Sequence, residues 1–301
     1  MTFSSRTPSS RTASARIPPV HTPQAWNWIR RAADLNRDGI FEGAVVDGRY
    51  RLDIDARGDW RCSHEVDEEA AQLLSIWLPW CMADITRGPR VIAQIGQSLD
   101  GRIATASGAS HYVTGTQSLV HLHRLRALVD AVVVGAGTVD ADDPQLTVRH
   151  VEGDSPLRVV LDPRGRVPAD RGVFRQPAAP TWHLVGEGVA GHGGADHVSV
   201  KPVTPGPAGI DPAQVISLLA EHGHRRILIE GGGLTISRFL EADCLDRMHS
   251  VVAPMLIGSG RPALTLPEIE TLDGALRPAC RHFCLGQDML FDLDLRDRGV
   301  T

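Results

Sequence analysis

No apolar run in this 301-residue chain approaches the ~20 residues that a bilayer-spanning helix requires, so no transmembrane helix and no membrane partner are expected. The first twenty residues also lack the apolar centre of a secretory signal. Their Ser, Thr, Arg and Pro content reads as a disordered tail over residues 1–23. That acid-free start shares its composition with organelle transit peptides but not their amphipathic stripe. Cysteine is sparse: Cys62, Cys81, Cys244, Cys280 and Cys284 are odd in number, widely spread and without a Cys-x-x-Cys pair. This argues against a disulfide framework and fits a reducing cytoplasm. Cys280, His282 and Cys284 stand near one another, but the segment reads as an alternating strand and no metal site is expected. Positive charge is not in excess either. A net charge of -5 and a pI near 6.2 give no general attraction to nucleic acid. The expected partner is a small molecule.

The chain does have enough apolar residues, 42%, to fill a proper core. Residues 24–87 have a texture of their own and hold most of the six tryptophans. Residues 24–35 predict a helix with Trp26, Ile29 and Ala33 on one side. Residues 43–60 predict a hairpin turned at Asp47 and Gly48, and residues 67–82 a second helix checked by Pro79, with Ala70, Leu73, Leu74 and Trp77 inward. Such aromatic weight suggests a small module that docks on the main domain or on a partner. Two motifs here fail on inspection. Asp34, Asn36, Asp38 and Gly39 copy the opening of a calcium loop, but Val45 occupies the twelfth position, where a bidentate Glu belongs. His64 and Glu65 are adjacent and Trp80 separates Pro79 from Cys81, with Asp84 where a second Cys would stand, so the zinc-deaminase signature is absent.

From residue 88 to residue 301 short β runs alternate with helices or loops, at 91–97, 132–134, 157–161, 181–185 and 226–230, which predicts an α/β sheet of mainly parallel strands. Thr116 is placed to cap a helix over 117–129. Two strand-to-loop junctions look like binding sites. Residues 125–149 run from a helical turn carrying Arg126, through an apolar strand, to Gly135 and Gly137 and an acidic stretch ending at Arg149. Residues 227–240 run from a buried strand through Gly231, Gly232 and Gly233 into a helix, whose first N–H groups form an anion cradle.

In order along the chain, Ser98-Leu99-Asp100-Gly101-Arg102-Ile103-Ala104, Gly108-Ala109-Ser110, Leu125-Arg126-Ala127, Gly135-Ala136-Gly137-Thr138, the run Asp142 to Arg149, Glu230-Gly231-Gly232-Gly233 and Ala253-Pro254-Met255-Leu256-Ile257-Gly258 resemble the reductase domain of the riboflavin-biosynthesis deaminase-reductases. The resemblance covers about residues 89–296. It implies a dihydrofolate-reductase-like fold, a homodimer, and NADPH-dependent reduction of a ribosylaminopyrimidine phosphate to its ribityl counterpart. The C-terminal alternation around Phe283 and Phe291 can supply an interface strand. By resemblance Ser110, Arg126, Leu146, Arg149 and Glu230 correspond to substrate contacts. Gly96, Tyr112, Thr138, Asp142 and the run Gly232, Gly233, Leu234, Thr235, Ile236, Ser237 and Arg238 correspond to cofactor contacts. Gln94 stands where the family often has Lys, and Tyr112 where it often has Trp.

Reduction of a ring-opened ribose needs a nicotinamide held against one carbon, fixed cations for a sugar phosphate, and an acid to orient the sugar or deliver a proton. Arg126 and Arg149 suit the phosphate, and Asp142, Asp143 and Glu230 are the candidate acids. Arg164 and Arg166, in a turn after a predicted strand, are candidates for the adenosine 2′-phosphate. Two alternatives stay open: a reductase of a pterin or related heterocycle, and a nucleotide-binding module without turnover.

Overall fold

The computed structural model describes residues 18–37, 43–110, 113–207 and 209–296. Two strands that are apolar on both faces, β6 (Ala131–Gly135) and β10 (Arg226–Glu230), lie side by side near the middle of a nine-stranded sheet. Strands buried on both sides read as unbroken Val and Ile runs, and these two do. With β4 (Arg90–Ser98), β7 (Leu157–Leu161), β8 (Thr181–Gly186), β9 (Val198–Val203) and β11 (Arg247–Ala253) they form a parallel set in the order β11-β4-β10-β6-β7-β8-β9. An antiparallel hairpin, β13 (Ala279–Leu285) and β14 (Asp288–Asp294), extends the sheet beyond β11. The mixed, mainly parallel sheet flanked by helices is the architecture expected from the sequence.

Helices cover both faces. On one, α6 (Pro212–Glu221) and α7 (Gly233–Glu241) pack Val215, Leu219, Ile236 and Phe239 over Ala93, Val133 and Ile229. On the other lie α3 (Thr116–Ala127) and the Trp-rich segment, which consists of α1 (Thr22–Leu35), the three-stranded β1 (Gly43–Asp47), β2 (Tyr50–Ile54) and β3 (Trp60–Cys62), and α2 (Glu68–Cys81). Trp26, Trp28, Trp77 and Trp80 belong to one continuous apolar core with Ile92, Val132, Leu228 and Leu290 of the sheet. The remaining elements are short: β5 (Arg102–Ala104) paired with β12 (Arg261–Pro262), α4 (Ala136–Asp142) and α5 (Gly172–Arg175).

Buried polar groups tie the Trp-rich segment down. Arg226, 2% exposed, donates from Nη1 to the Ala33 carbonyl at 3.1 Å and from Nη2 to the Cys81 carbonyl at 2.9 Å, so one guanidinium serves the C-terminal turns of both α1 and α2. Cations are stabilised there by the helix dipole and the unpaired carbonyls. Asn36 donates to the carbonyls of Cys81 and Ala83, a packing role distinct from calcium binding; residues 38–42 of that motif lie outside the described residues.

One local expectation holds and one needs correcting. Helix α2 runs through Pro79 to Cys81, within the expected bounds of 67–82. Proline cannot donate to the carbonyl four residues back, and that carbonyl, on Ser75, instead accepts from Arg281 Nη1 at 3.0 Å. Thr116 does not cap α3. Gly115 holds that position, and Asp288, the first residue of β14, accepts both the Gly115 N–H at 2.7 Å and the Ser118 hydroxyl at 2.6 Å.

Candidate active site

Parallel strands carry their following loops to one edge of the sheet, and ligands of α/β proteins sit at that edge. Here the loops after β4, β6, β7 and β10 enclose a cavity of about 1070 Å³. This is at the upper end of the ~300–1,000 Å³ usual for one small-molecule site, room enough for a cofactor and a substrate together. Of the residues singled out in the sequence, Gly96, Ser110, Thr138, Asp142, Glu230 and Arg238 line it. So do Arg164, Arg166, Gly232, Gly233, Leu234 and Thr235. Arg126, Leu146, Arg149, Ile236 and Ser237 are not part of the lining. Tyr112 lies outside the described residues.

The central polar feature is a buried ion pair. Arg126, in the last turn of α3, forks onto Glu230 at the end of β10: Nε lies 3.0 Å from Oε2, and Nη2 bonds Oε1. Its Nη1 donates to the Thr147 carbonyl at 3.1 Å. Arg126 therefore reaches the cavity through Glu230, which faces it. Glu230 belongs to a polar rank across the sheet. It stands one step beyond the Ile229–Ala93 pair, level with Gln94; Gln94 pairs with His249, and His249 with Asp292. Gln94 lines the cavity, 7% exposed, with its Oε1 lacking a hydrogen-bond partner. Farther along, His249 Nδ1 meets His121 Nε2 at 3.0 Å, and Trp77 of α2 stacks on His121 at 4.6 Å between centroids. Against burial, which pushes the Asp292 carboxyl up, His249 and then Arg247 hold it far below its usual range, and Arg281 Nη2 also bonds its Oδ2 at 2.7 Å.

The acidic loop sorts its two candidate acids. Asp142 ends α4 on the cavity wall, where its Oδ1 accepts the Ser110 hydroxyl at 2.9 Å. Asp143 instead turns the chain with φ +41° and accepts the Gly172 N–H at 2.7 Å, which leaves it a structural part. Leu146 also has left-handed backbone, φ +58°, uncommon for a residue with a side chain, and is buried beneath the loop. Arg149 is exposed at the loop's end. Its N–H donates to His123 Nδ1 at 3.0 Å, and its Nη1 bonds Gln145 and Thr147 at 2.9 Å. Burial and then the adjacent Arg126 pull the Arg149 guanidinium below its ordinary value, while Glu230 raises it. Burial, with Arg126 and Arg149 nearby, pushes the His123 imidazole down to about 3, leaving Nδ1 an acceptor.

The triple glycine differs in detail from expectation. Gly231 takes φ +100°, a turn that favours glycine. The Gly232 N–H is not free for a ligand, since it donates to Thr138 Oγ1 at 2.8 Å. Helix α7 begins at Gly233, and among the described residues the Gly233 and Leu234 N–H groups have no backbone acceptor. A Cβ on Gly233 would strike the Ala263 carbonyl, so that glycine is required by the protein's own packing. Ile236 and Ser237 turn away: Ile236 is in the core, and Ser237 Oγ accepts the Thr265 N–H at 2.8 Å. Arg164 and Arg166 project from the turn after β7, which Asp162 fixes by accepting the N–H groups of Arg166 and Val167. A helix start at one place and two arginines at another fit a dinucleotide bearing an extra phosphate. Arg261, whose guanidinium lies over Gly108 on the cavity wall, was missed in the sequence; its position after the small turn at Gly258 and Gly260, beyond β11, is the signal that marks it.

Comparison with known proteins agrees with this geometry. The 2,5-diamino-6-ribosylamino-4(3H)-pyrimidinone 5′-phosphate reductase of Methanothermobacter thermautotrophicus is 35% identical over 216 residues, 69% of this chain and 99% of that protein. The riboflavin biosynthesis protein RibD of Bacillus amyloliquefaciens is 35% identical over 173 residues, 56% of this chain and 47% of its own length; the chain thus spans about half of the RibD protein it matches. Among solved structures, the deaminase/5-amino-6-(5-phosphoribosylamino)uracil reductase of Thermotoga maritima superposes with a TM-score of 0.60 at 25% identity, covering 77% of this chain and 64% of that one. The model of the RibD C-terminal domain matches residues 89–288, which hold every element of the cavity described above, and the chain belongs to that family.

Proposed function

We propose that the chain is an NADPH-dependent reductase that converts a phosphorylated ribosylaminopyrimidine to its ribityl form in a riboflavin-type pathway. The observation that carries this reading is one cavity holding a helix start with open N–H groups, two arginines beyond β7, and a wall formed by Glu230, Ser110 and Asp142. NADPH, when bound, supplies the hydride. Gly233 and Leu234 are suited to its pyrophosphate, and Arg164 and Arg166 to its 2′-phosphate.

The substrate's reacting group is the imine formed when the ribose ring opens. The carbon takes the hydride and the nitrogen a proton, giving a secondary amine. Asp142, bonded to Ser110 and open to the cavity, orients the sugar hydroxyls and is placed to relay that proton. Glu230, fixed by Arg126, holds the other side of the sugar chain. Arg149, exposed at the end of the loop and outside the cavity lining, is the candidate for the phosphate as a charge-assisted contact.

The test is to mix purified protein with NADPH and the ribosylaminopyrimidine phosphate, in its diamino and its deaminated forms. Nicotinamide absorbance and product mass are then followed. Oxidation coupled to a two-hydrogen mass gain in either form is expected. Turnover with a pterin alone, or cofactor binding without any turnover, would overturn the reading.

A further inference from the structure

The matched family region begins at residue 89, so it gives the Trp-rich segment before it no part in the reaction. That segment nevertheless grips the loop that carries Arg149. Trp26 of α1 is 6% exposed, and its indole N–H donates to the Glu152 carbonyl at 3.0 Å. Arg30, one turn on, pairs with the Glu152 carboxylate at 2.9 Å. Glu152 is three residues past Arg149, and Arg149 is itself fixed at its backbone N–H by His123 of α3. Between the two anchors, His150 packs its ring edge-on against His123 and Val151 packs on the core. The loop is thus pinned at one point by α3 and at the other by α1. Helix α3 is in turn bound to the same segment, since Arg124 lies over the Trp26 ring.

We infer that Trp26 is a positioning residue for Arg149, and that the N-terminal segment thereby completes the phosphate end of the active site. Arg149 is exposed and has a long side chain, so its reach to a phosphate depends on where its backbone is held. One part-buried indole–carbonyl bond fixes the far side of that backbone. The inference rests on the reading of Arg149 as the phosphate contact.

The experiment compares Trp26→Phe and Arg149→Ala with wild type in the full-length chain. It measures KM and kcat for the phosphorylated pyrimidine and for its dephosphorylated counterpart, and NADPH affinity by titration. Trp26→Phe keeps an aromatic ring and removes the donor. Its KM for the phosphorylated compound is expected to rise about two- to tenfold, the worth of one neutral hydrogen bond. KM for the dephosphorylated compound, kcat and cofactor affinity stay unchanged, and turnover of the dephosphorylated compound reports that the variant is folded. Arg149→Ala should move the same KM about ten- to a hundredfold. If Arg149→Ala shifts it and Trp26→Phe does not, the inference is overturned while the phosphate reading stands. Equal losses for both substrates in Trp26→Phe would show a structural role only and also overturn it. If Arg149→Ala leaves phosphate discrimination intact, the phosphate reading itself fails and the inference with it.

Discussion

Replacing Glu230 with Ala would leave the Arg126 guanidinium buried with one carbonyl partner, Thr147, in place of a forked carboxylate. Arg126 is 5% exposed and Glu230 9%. Removing one partner of a buried pair costs about 3–5 kcal/mol, because the remaining charge is uncompensated. Glu230 borders the cavity, so water can enter the vacated space, which favours the lower end, about 3 kcal/mol. At roughly 2–4 °C per kcal/mol for a chain of this size, the midpoint should fall by about 6–12 °C. Urea unfolding of Glu230→Ala beside the double variant Arg126→Met, Glu230→Leu separates stability from function. The double variant removes both charges and should recover to within about 1 kcal/mol of wild type. Reductase activity should be absent from both, since Glu230 faces the cavity in wild type. A loss under about 1 kcal/mol in the single variant, or a double variant no more stable than the single, would refute the claim that this pair is desolvated and mutually dependent.

The double change Arg164→Ala, Arg166→Ala should erase the preference for NADPH over NADH and leave kcat at saturating cofactor little altered, because these groups are remote from the reacting carbon; kcat/KM for both nucleotides decides it. His123 supplies a pH test. Its folded-state pKa of about 3 lies below the ordinary 6.5, so the stability it contributes is fully present above about pH 6.5 and is lost as pH falls from there toward 3. His123→Asn retains an acceptor for the Arg149 N–H but cannot titrate, so the drop in urea midpoint between pH 7 and pH 4.5 should be smaller than in wild type.

The sheet was legible because its signals are local. The edges of β7 and β10 coincide with those of the apolar runs at 157–161 and 226–230, and the glycines mark the start of α7 to within a residue. The cavity followed from those junctions, since a strand ending in small residues before a helix leaves main chain uncovered. What stayed hidden depends on partners far along the chain. Asp288 caps a helix some 170 residues earlier, and Arg281 occupies the carbonyl released by Pro79, so the groups that satisfy these helices are not written in the helices themselves. The level alignment of Glu230, Gln94, His249 and Asp292 depends on strand register, which no single segment encodes. The Gly232 N–H looked open because its acceptor, Thr138, stands on another element.

Arg226 also orders events during synthesis. The two helix ends it serves, at Ala33 and Cys81, precede it by 193 and 145 residues. A ribosome adding ~5–20 residues per second delivers Arg226 roughly 10–40 s after Ala33. Throughout that interval β10, one of the strands that the tryptophans cover, has not been made. The guanidinium that ties the ends of α1 and α2 together therefore arrives after β4 and β6 have been made, so the polar anchoring of the segment is completed only with β10.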